Sequence, residues 1–357
     1  MLCYSRFWVS IGALTLAACQ TTKTNSTPPS VQVPCWLNKP VSSQHIGFIG
    51  TAAPFSAIKD GSIIASRQRA VSHYTQYYGL PSAHEKIKQL PATQNRFTLN
   101  NGQVLYFSEP YITSDTLYTY VSNRPIINSN QCETVSCNFS LCEPKWLCSG
   151  ENNHVIGASY YTAFAHQQLP MTATNAKALA GYLAQASVNM QERYIESFSE
   201  QQHTSQFFRQ GEVIGNEYHQ PLLMTQSCHY GSTLFAAYQT NQSINKQITQ
   251  QTWRDIQQYQ GRSVVMGNFG EDGTIAPDNL ISSAIRYAIH DALVEIAKNK
   301  GVTVSASSTL LNQNGRYYLS DAQFDIQQTV SGQLLDLQIN YKAGFPIVYV
   351  WLLESES

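Results

Sequence analysis

Three times along the chain a tryptophan is followed by a short apolar run ending in glycine, then by a stretch with helical periodicity, then by segments that alternate apolar and polar. The first round is Trp36, His45-Ile46-Gly47-Phe48-Ile49-Gly50 and a helix over about 62–78, the second Trp146, His154-Val155-Ile156-Gly157 and a helix over about 175–198. The third is Trp253, Ser263-Val264-Val265-Met266-Gly267 and a helix over about 281–299. Internal repetition constrains the fold more than any single segment does, because each copy must be a supersecondary unit that buries the same face. Spacings of three and four put Ile63, Ala70, Tyr74 and Tyr77 on one stripe, as they do Ala176, Leu179, Ala180, Leu183, Ser187, Met190 and Tyr194, and Ile281, Ala284, Ile285, Ala288 and Ala292.

After each helix the period becomes two. Strands are expected over 96–99, 103–107 and 116–121, over 211–214, 222–225 and 233–238, and over 302–305, 324–326, 334–339 and 347–352. A strand, an amphipathic helix and a meander make an α+β unit whose helix covers one sheet face. The expected organisation is a leader over 1–18, a tether over 19–34, three helix-on-sheet units over 35–128, 146–243 and 244–357, and a Cys-rich connector over 129–145.

The leader carries Arg6, then Phe7-Trp8-Val9-Ser10-Ile11-Gly12-Ala13-Leu14-Thr15, then Leu16-Ala17-Ala18 before Cys19. Its apolar core is too short for a stable bilayer span, and small residues precede a cut site, the pattern of a signal peptide. Leu16-Ala17-Ala18-Cys19 resembles the lipobox of bacterial lipoproteins, which implies that the Cys19 thiol is alkylated with diacylglycerol and becomes an acylated (palmitate-type) N-terminus. Two or three acyl chains hold a protein durably on a membrane where one does not. Gln20 stands where an aspartate would resemble an inner-membrane retention signal, so the resemblance implies the outer membrane, periplasmic face. Residues 20–34 are polar and proline-containing and read as a flexible tether.

Cys3 leaves with the leader and Cys19 with lipid, which leaves Cys35, Cys132, Cys137, Cys142, Cys148 and Cys228. An even number in an oxidising compartment reads as disulfides, without choosing among the 15 pairings that six cysteines allow. The cluster C-x4-C-x4-C-x5-C lacks the paired C-x2-C knuckles of structural zinc. Cys35 and Cys228 lie far enough away in sequence to staple neighbouring units to the connector.

A net charge of −1 and the lack of any basic run argue against nucleic acid, which requires a concentrated cationic face. Nucleophile elbows, H-E-x-x-H and phosphate loops are missing, and Gly47-Phe48-Ile49-Gly50 lacks the third glycine of a dinucleotide fingerprint. His166, His203, His219 and His229 flank the second unit and read as dispersed surface or capping residues; His290-Asp291 are adjacent on one helix rather than facing each other. Asp272-Gly273 and Asn312-Gln313-Asn314-Gly315 read as turns, not calcium loops. The 21 tyrosines suit sheet packing better than a glycan-binding face. No catalytic residue, metal or cofactor is assigned.

Trp36-Leu37-Asn38-Lys39-Pro40, then Ile46-Gly47-Phe48-Ile49-Gly50-Thr51-Ala52, then a helix with Ala65, Arg67 and Ala70 resembles the Lpp-twenty family of outer-membrane lipoproteins, to which a flagellar basal-disk lipoprotein is related. The resemblance covers about residues 35–122 and, more weakly, the other two units; the chain departs from the family in length, in repetition and in its cysteine cluster. It implies a small α+β domain on an envelope- or flagellum-associated lipoprotein, with no catalytic residues to carry over. The expected role is a non-catalytic scaffold whose sheet edges meet envelope proteins or other copies of the chain; the alternative is a monomeric ligand- or peptidoglycan-binding lipoprotein.

Overall fold

In each of the three segments the helix lies against a leading strand whose glycine admits it. A Cβ built at Gly50 would stand 1.9 Å from the backbone oxygen of Ser66, at Gly157 1.9 Å from that of Thr172, and at Gly267 2.2 Å from that of Ala288. Any side chain there would hold helix and sheet apart, so these glycines set the close packing of the layers. In the first segment the Ser66 hydroxyl also donates to the Gly50 carbonyl at 2.8 Å.

The computed structural model describes residues 32–42, 46–126, 131–147, 154–160, 164–198, 202–240, 255–277, 281–312 and 316–355. The leader, Cys19, Cys148 and Trp253 lie outside the described residues. The described chain opens with β1 (Gln32–Pro34) and α1 (Cys35–Asn38). The first segment runs β2 (Gly47–Ala52), α2 (Gly61–Tyr77), α3 (His84–Lys88), β3 (Arg96–Thr98), β4 (Val104–Phe107), β5 (Tyr111–Ile112) and β6 (Leu117–Ser122). The connector contributes β7 (Gln131–Glu133) and a 3-10 turn at Lys145–Leu147. The second segment runs β8 (His154–Ala158), α4 (Ala165–Ala184), β9 (Ala186–Phe198), β10 (His203–Gly215), β11 (Leu223–Tyr230) and β12 (Thr233–Gln239). The third runs β13 (Gln258–Tyr259), β14 (Arg262–Phe269), α5 (Ile281–Lys300), β15 (Thr303–Asn312), β16 (Arg316–Val330), β17 (Gly332–Lys342) and β18 (Phe345–Glu354).

The class is mixed α+β with antiparallel sheets. In every segment the strand before the helix pairs antiparallel with the last strand: β2 with β6, β8 with β12, β14 with β18. The sheet orders are β2-β6-β4-β3, β8-β12-β11 and β13-β14-β18-β17, with β5 attached to β6. The second and third segments also project a long hairpin each, β9-β10 and β15-β16, and these join into one sheet ordered β10-β9-β16-β15. Those two segments are therefore not separate bodies. One apolar cluster runs from Phe139 and Trp146 through Leu179, Phe235, Ile285, Leu293 and Ile326 to Leu352. The first segment has a cluster of its own around Phe48, Tyr74, Ile87, Leu105 and Val121.

Several boundaries differ from the sequence expectation. The second helix ends at Ala184 and residues 186–198 form β9, because Gln185 is already extended at φ −165° and ψ 130°. The stripe Ser187, Met190, Tyr194 satisfies helical spacing by coincidence, while Val188, Met190, Glu192 and Tyr194 also satisfy a period of two. The tether likewise stops short of residue 34, since Gln32–Pro34 pairs with Gln131–Glu133 and Val33 is buried.

The helix also starts ten residues earlier than expected, through an internal proline. Pro170 has no N–H to offer the carbonyl of His166, four residues back. That carbonyl instead accepts the Thr51 hydroxyl from the first segment at 2.7 Å. Arg67, which the resemblance singles out, is a buried guanidinium: Nη1 donates to the carbonyls of Pro91 and Gln94 at 3.2 and 3.0 Å, and the group stands over the Phe107 ring at 4.7 Å. It ties the irregular loop before β3 to α2.

Candidate functional site

Among the described residues two disulfides close the connector onto its neighbours. Cys35 joins Cys132, beside the β1–β7 pairing, and Cys137 joins Cys228 on β11. Cys142 is also disulfide-bonded. The Cys137–Cys228 bridge is accompanied by backbone bonds from Cys137 N to His229 O at 2.8 Å and from His229 N to Val135 O at 2.9 Å, so the connector lies along the edge of the second sheet.

The four-stranded sheet β10-β9-β16-β15 is the feature that no part of the core requires over its full length. Its register puts Val188, Met190, Glu192, Tyr194 and Phe198 on one face with Val330, Ile326, Phe324, Ala322 and Tyr318. Near the core this face is buried by α5, where Val188, Ile326 and Val330 are fully enclosed. Farther out the same face continues past the helix and leaves Tyr194, Phe198, Phe207 and Tyr318 exposed. Cross-strand neighbours there pair their rings: Tyr194 with Phe207 at 4.9 Å, Phe198 with Tyr318 at 6.0 Å, and Phe198 stacked on His203 at 4.1 Å. On the opposite face, polar groups are hydrogen-bonded across the strands around the exposed Phe208. Gln191 donates to Asp325 at 2.8 Å, Gln210 to Gln191 at 3.0 Å, and Arg193 pairs with Asp321 at 2.6 Å.

A charge cluster fastens the sheet to α5. Arg209 reaches Glu192 at 2.7 Å and Asp291 at 2.6 Å, and Lys298 reaches Glu192 at 2.7 Å and Glu295 at 2.6 Å. The Glu192 side chain is only 4% exposed, and Arg209 meets one of its carboxylate oxygens while Lys298 meets the other. Beside it a cleft of about 410 Å³ is lined by Glu192, Tyr194, Glu196, Lys298, Ala322 and Phe324.

The edges of this sheet are β10, 13 residues long, and β15, 10 residues long; among the described residues neither pairs with a further strand. Edge strands of monomeric proteins are commonly blunted by proline, charge or bulges. The β15 sequence Thr-Val-Ser-Ala-Ser-Ser-Thr-Leu-Leu-Asn contains neither proline nor charge, and its residues 303–309 are exposed.

The histidines weighed in the sequence do not converge. His203 of β10 stacks on Phe198 of β9, His166 stacks on Phe164, exposed His219 lies 3.8 Å from Glu217, and His229 sits in β11. Among the described residues no group of three or more His, Cys, Asp or Glu is placed to hold a metal ion. Asp291 is engaged by Arg209 and by the Asn268 N–H at 3.0 Å rather than by His290. Asp272 accepts the Thr274 N–H at 2.9 Å in a turn closed by Gly273 N to Gly270 O, while residues 313–315 of the other expected turn lie outside the described residues.

His290 has a structural consequence instead. Its Nε2 is enclosed without a hydrogen-bond partner among the described residues, and its ring lies 4.4 Å from that of Tyr182. Burial, reinforced by Arg286, pushes the imidazole from 6.5 down to about 4. Between those values the unfolded chain binds a proton that the folded chain does not, so stability falls as pH falls through that window. His73, His154 and His229 are displaced in the same direction, first by burial. His290→Phe, which keeps a ring against Tyr182, should lessen the slope of unfolding free energy between pH 6.5 and 4. Urea titrations at stepped pH check this, and an unchanged slope would rule out His290 as a contributor.

Comparison with protein-family models, with curated proteins and with solved structures finds no match to this chain.

Proposed function

We propose that this chain is a periplasm-facing outer-membrane lipoprotein, held by acylated Cys19, that works as a non-catalytic envelope or flagellum-associated scaffold. The observation that carries the assembly reading is the projecting sheet with two long edge strands, of which β15 carries neither proline nor charge, and an aromatic patch on one face. Its strands alternate in direction from β10 to β15, so a strand of a partner chain can add antiparallel at either end, with main-chain hydrogen bonds supplying affinity. The Lpp-twenty resemblance of the first segment and the lipobox resemblance around Cys19 support the location; the sheet supports the mode of action.

Lysines placed at Gln206 in β10 and Ser307 in β15 meet no core, since both side chains are exposed. The double variant should keep the parent's melting temperature within a few degrees yet lose cross-linked partners in intact cells and run as a smaller species in mild detergent. A double variant that retains the full set of cross-links would defeat the scaffold reading. Cys19→Ser is expected to abolish metabolic labelling by a fatty-acid analogue; equal labelling of variant and parent would defeat the anchoring reading.

A further inference from the structure

Where the first segment meets the second, β2 and α2 stand beside α4 and β11 and enclose a cavity of about 120 Å³. Its wall is largely apolar, formed by Phe48, Ile49, Leu169, Leu222, Met224 and Tyr238. The polar lining consists of His73 and Gln76 from α2 and Lys177 from α4, and no aspartate or glutamate is among the lining residues. Lys177 and Gln76 are exposed and mark the mouth, whereas His73 is half-buried and lies deeper.

The chemistry of the two principal polar groups is complementary. His73 Nδ1 lies 3.1 Å from the carbonyl oxygen of Ile49, so this nitrogen carries the proton and donates. Nε2 is then a lone-pair acceptor; it has no hydrogen-bond partner among the described residues and is not one of the fully enclosed polar atoms. Burial together with the nearby cations Lys177 and Arg69 holds the imidazole below its ordinary range, hence neutral and still an acceptor at pH 7. Arg69 gives an Nη1 proton to the Thr51 carbonyl and is not part of the lining, so among the described residues Lys177 is the cation that the lining presents to a ligand at the mouth. A ligand that satisfies the lining therefore brings an anion for Lys177, a hydroxyl donor for His73 and a short hydrocarbon tail for the apolar wall. An apolar cavity of roughly 150 Å³ accommodates a benzene-sized molecule, so this one takes a tail of only a few carbons.

We infer that this cavity is a binding site for a short-chain hydroxy monocarboxylate, its carboxylate at Lys177, its hydroxyl donating to His73 Nε2 and its tail among Phe48, Leu169 and Met224. The site does not depend on the scaffold reading, because it lies inside one chain and away from β10 and β15.

The test uses the intact protein with methyl-labelled methionine and three probes: 3-hydroxyhexanoate, hexanoate and hexylamine. The hydroxy acid should shift the Met224 methyl resonance saturably, with hexanoate weaker by about tenfold for the lost hydrogen bond and hexylamine without effect. Lys177→Met, an exposed change that leaves the fold intact, should weaken both acids by roughly tenfold. His73→Phe should bring the two acids to equal affinity. No saturable shift with 3-hydroxyhexanoate, equal shifts with hexylamine, or undiminished binding in Lys177→Met would overturn the site. Equal affinity of the parent for the two acids would overturn the role of His73.

Discussion

Gly267→Ala is expected to destabilise the protein by about 3 kcal/mol, at the upper end of the usual cost of overpacking a core. The added Cβ would stand 2.2 Å from Ala288 O, 2.4 Å from Ala292 N and 2.7 Å from Ala292 Cβ. Two of these three atoms are helix backbone, so no side-chain rotation relieves the clash. Only an outward shift of α5 does, and that opens the layer where Ile285, Ile289 and Leu293 are wholly enclosed. Gly50→Ala and Gly157→Ala should behave alike, because each would meet a helix carbonyl at 1.9 Å. Gly332→Ala is the control: its nearest neighbours are side-chain carbons of Ile296 and Leu352 at 3.4 Å, and its backbone needs no left-handed φ. Urea midpoints separate the two classes. If Gly267→Ala unfolded at the same midpoint as Gly332→Ala, the helix would have to be free to move, and the close approach would not be a constraint.

Arg209→Met should cost about 2 kcal/mol, less than the roughly 3–5 kcal/mol of a fully buried pair because Glu192 is enclosed while the Arg209 side chain keeps 29% of its surface in solvent. The penalty arises at Glu192, which keeps only Lys298, while Asp291 loses its 2.6 Å partner. Glu295, 39% exposed and 3.5 Å from Arg209, should contribute little, as partly solvated pairs do. The double variant Arg209→Met with Glu192→Met should recover part of the loss, because it removes the stranded carboxylate rather than leaving it. Hydrogen exchange adds a local readout: amides of β9 and β10 should exchange faster in Arg209→Met if the cluster fastens the sheet to α5. A double variant no more stable than the single one would show that the cost is lost packing of the arginine stem, not an unpaired charge.

The aromatic and ion-pair arrangements of the projecting sheet show why so little of the candidate site was legible beforehand. Glu192, Arg209, Asp291 and Lys298 are distant in sequence and carry no motif; they meet only because β9 and β10 cross α5. The cavity behind His73 and Lys177 is hidden for the same reason, since its lining is drawn from α2, α4 and the start of β11. Residues 186–198 misled the sequence reading because Met190 and Tyr194 fit both periods, and only the neighbours Gln210, Phe207 and Phe324 decide in favour of the strand. The disulfide partners were likewise open among their alternatives until Cys137 was set beside β11 and Cys35 beside β7.

The sequence by itself determined most of the local elements, with residues 186–198 as the exception: elsewhere apolar residues recurring at three and four mark a helix, alternation marks a strand, and a glycine stands in the leading strand of each segment. Such choices depend on a few neighbouring residues, and periodicity records them. Only the tertiary structure decided that the hairpins β9-β10 and β15-β16 leave their own segments and pair with each other through β9 and β16. Strand partnership is made by backbone groups that every residue carries, so sequence distinguishes the possible neighbours weakly. Burial of Val188, Ile326 and Val330 beneath α5 selects this partnership, and that selection exists only once the helix and both hairpins are packed together.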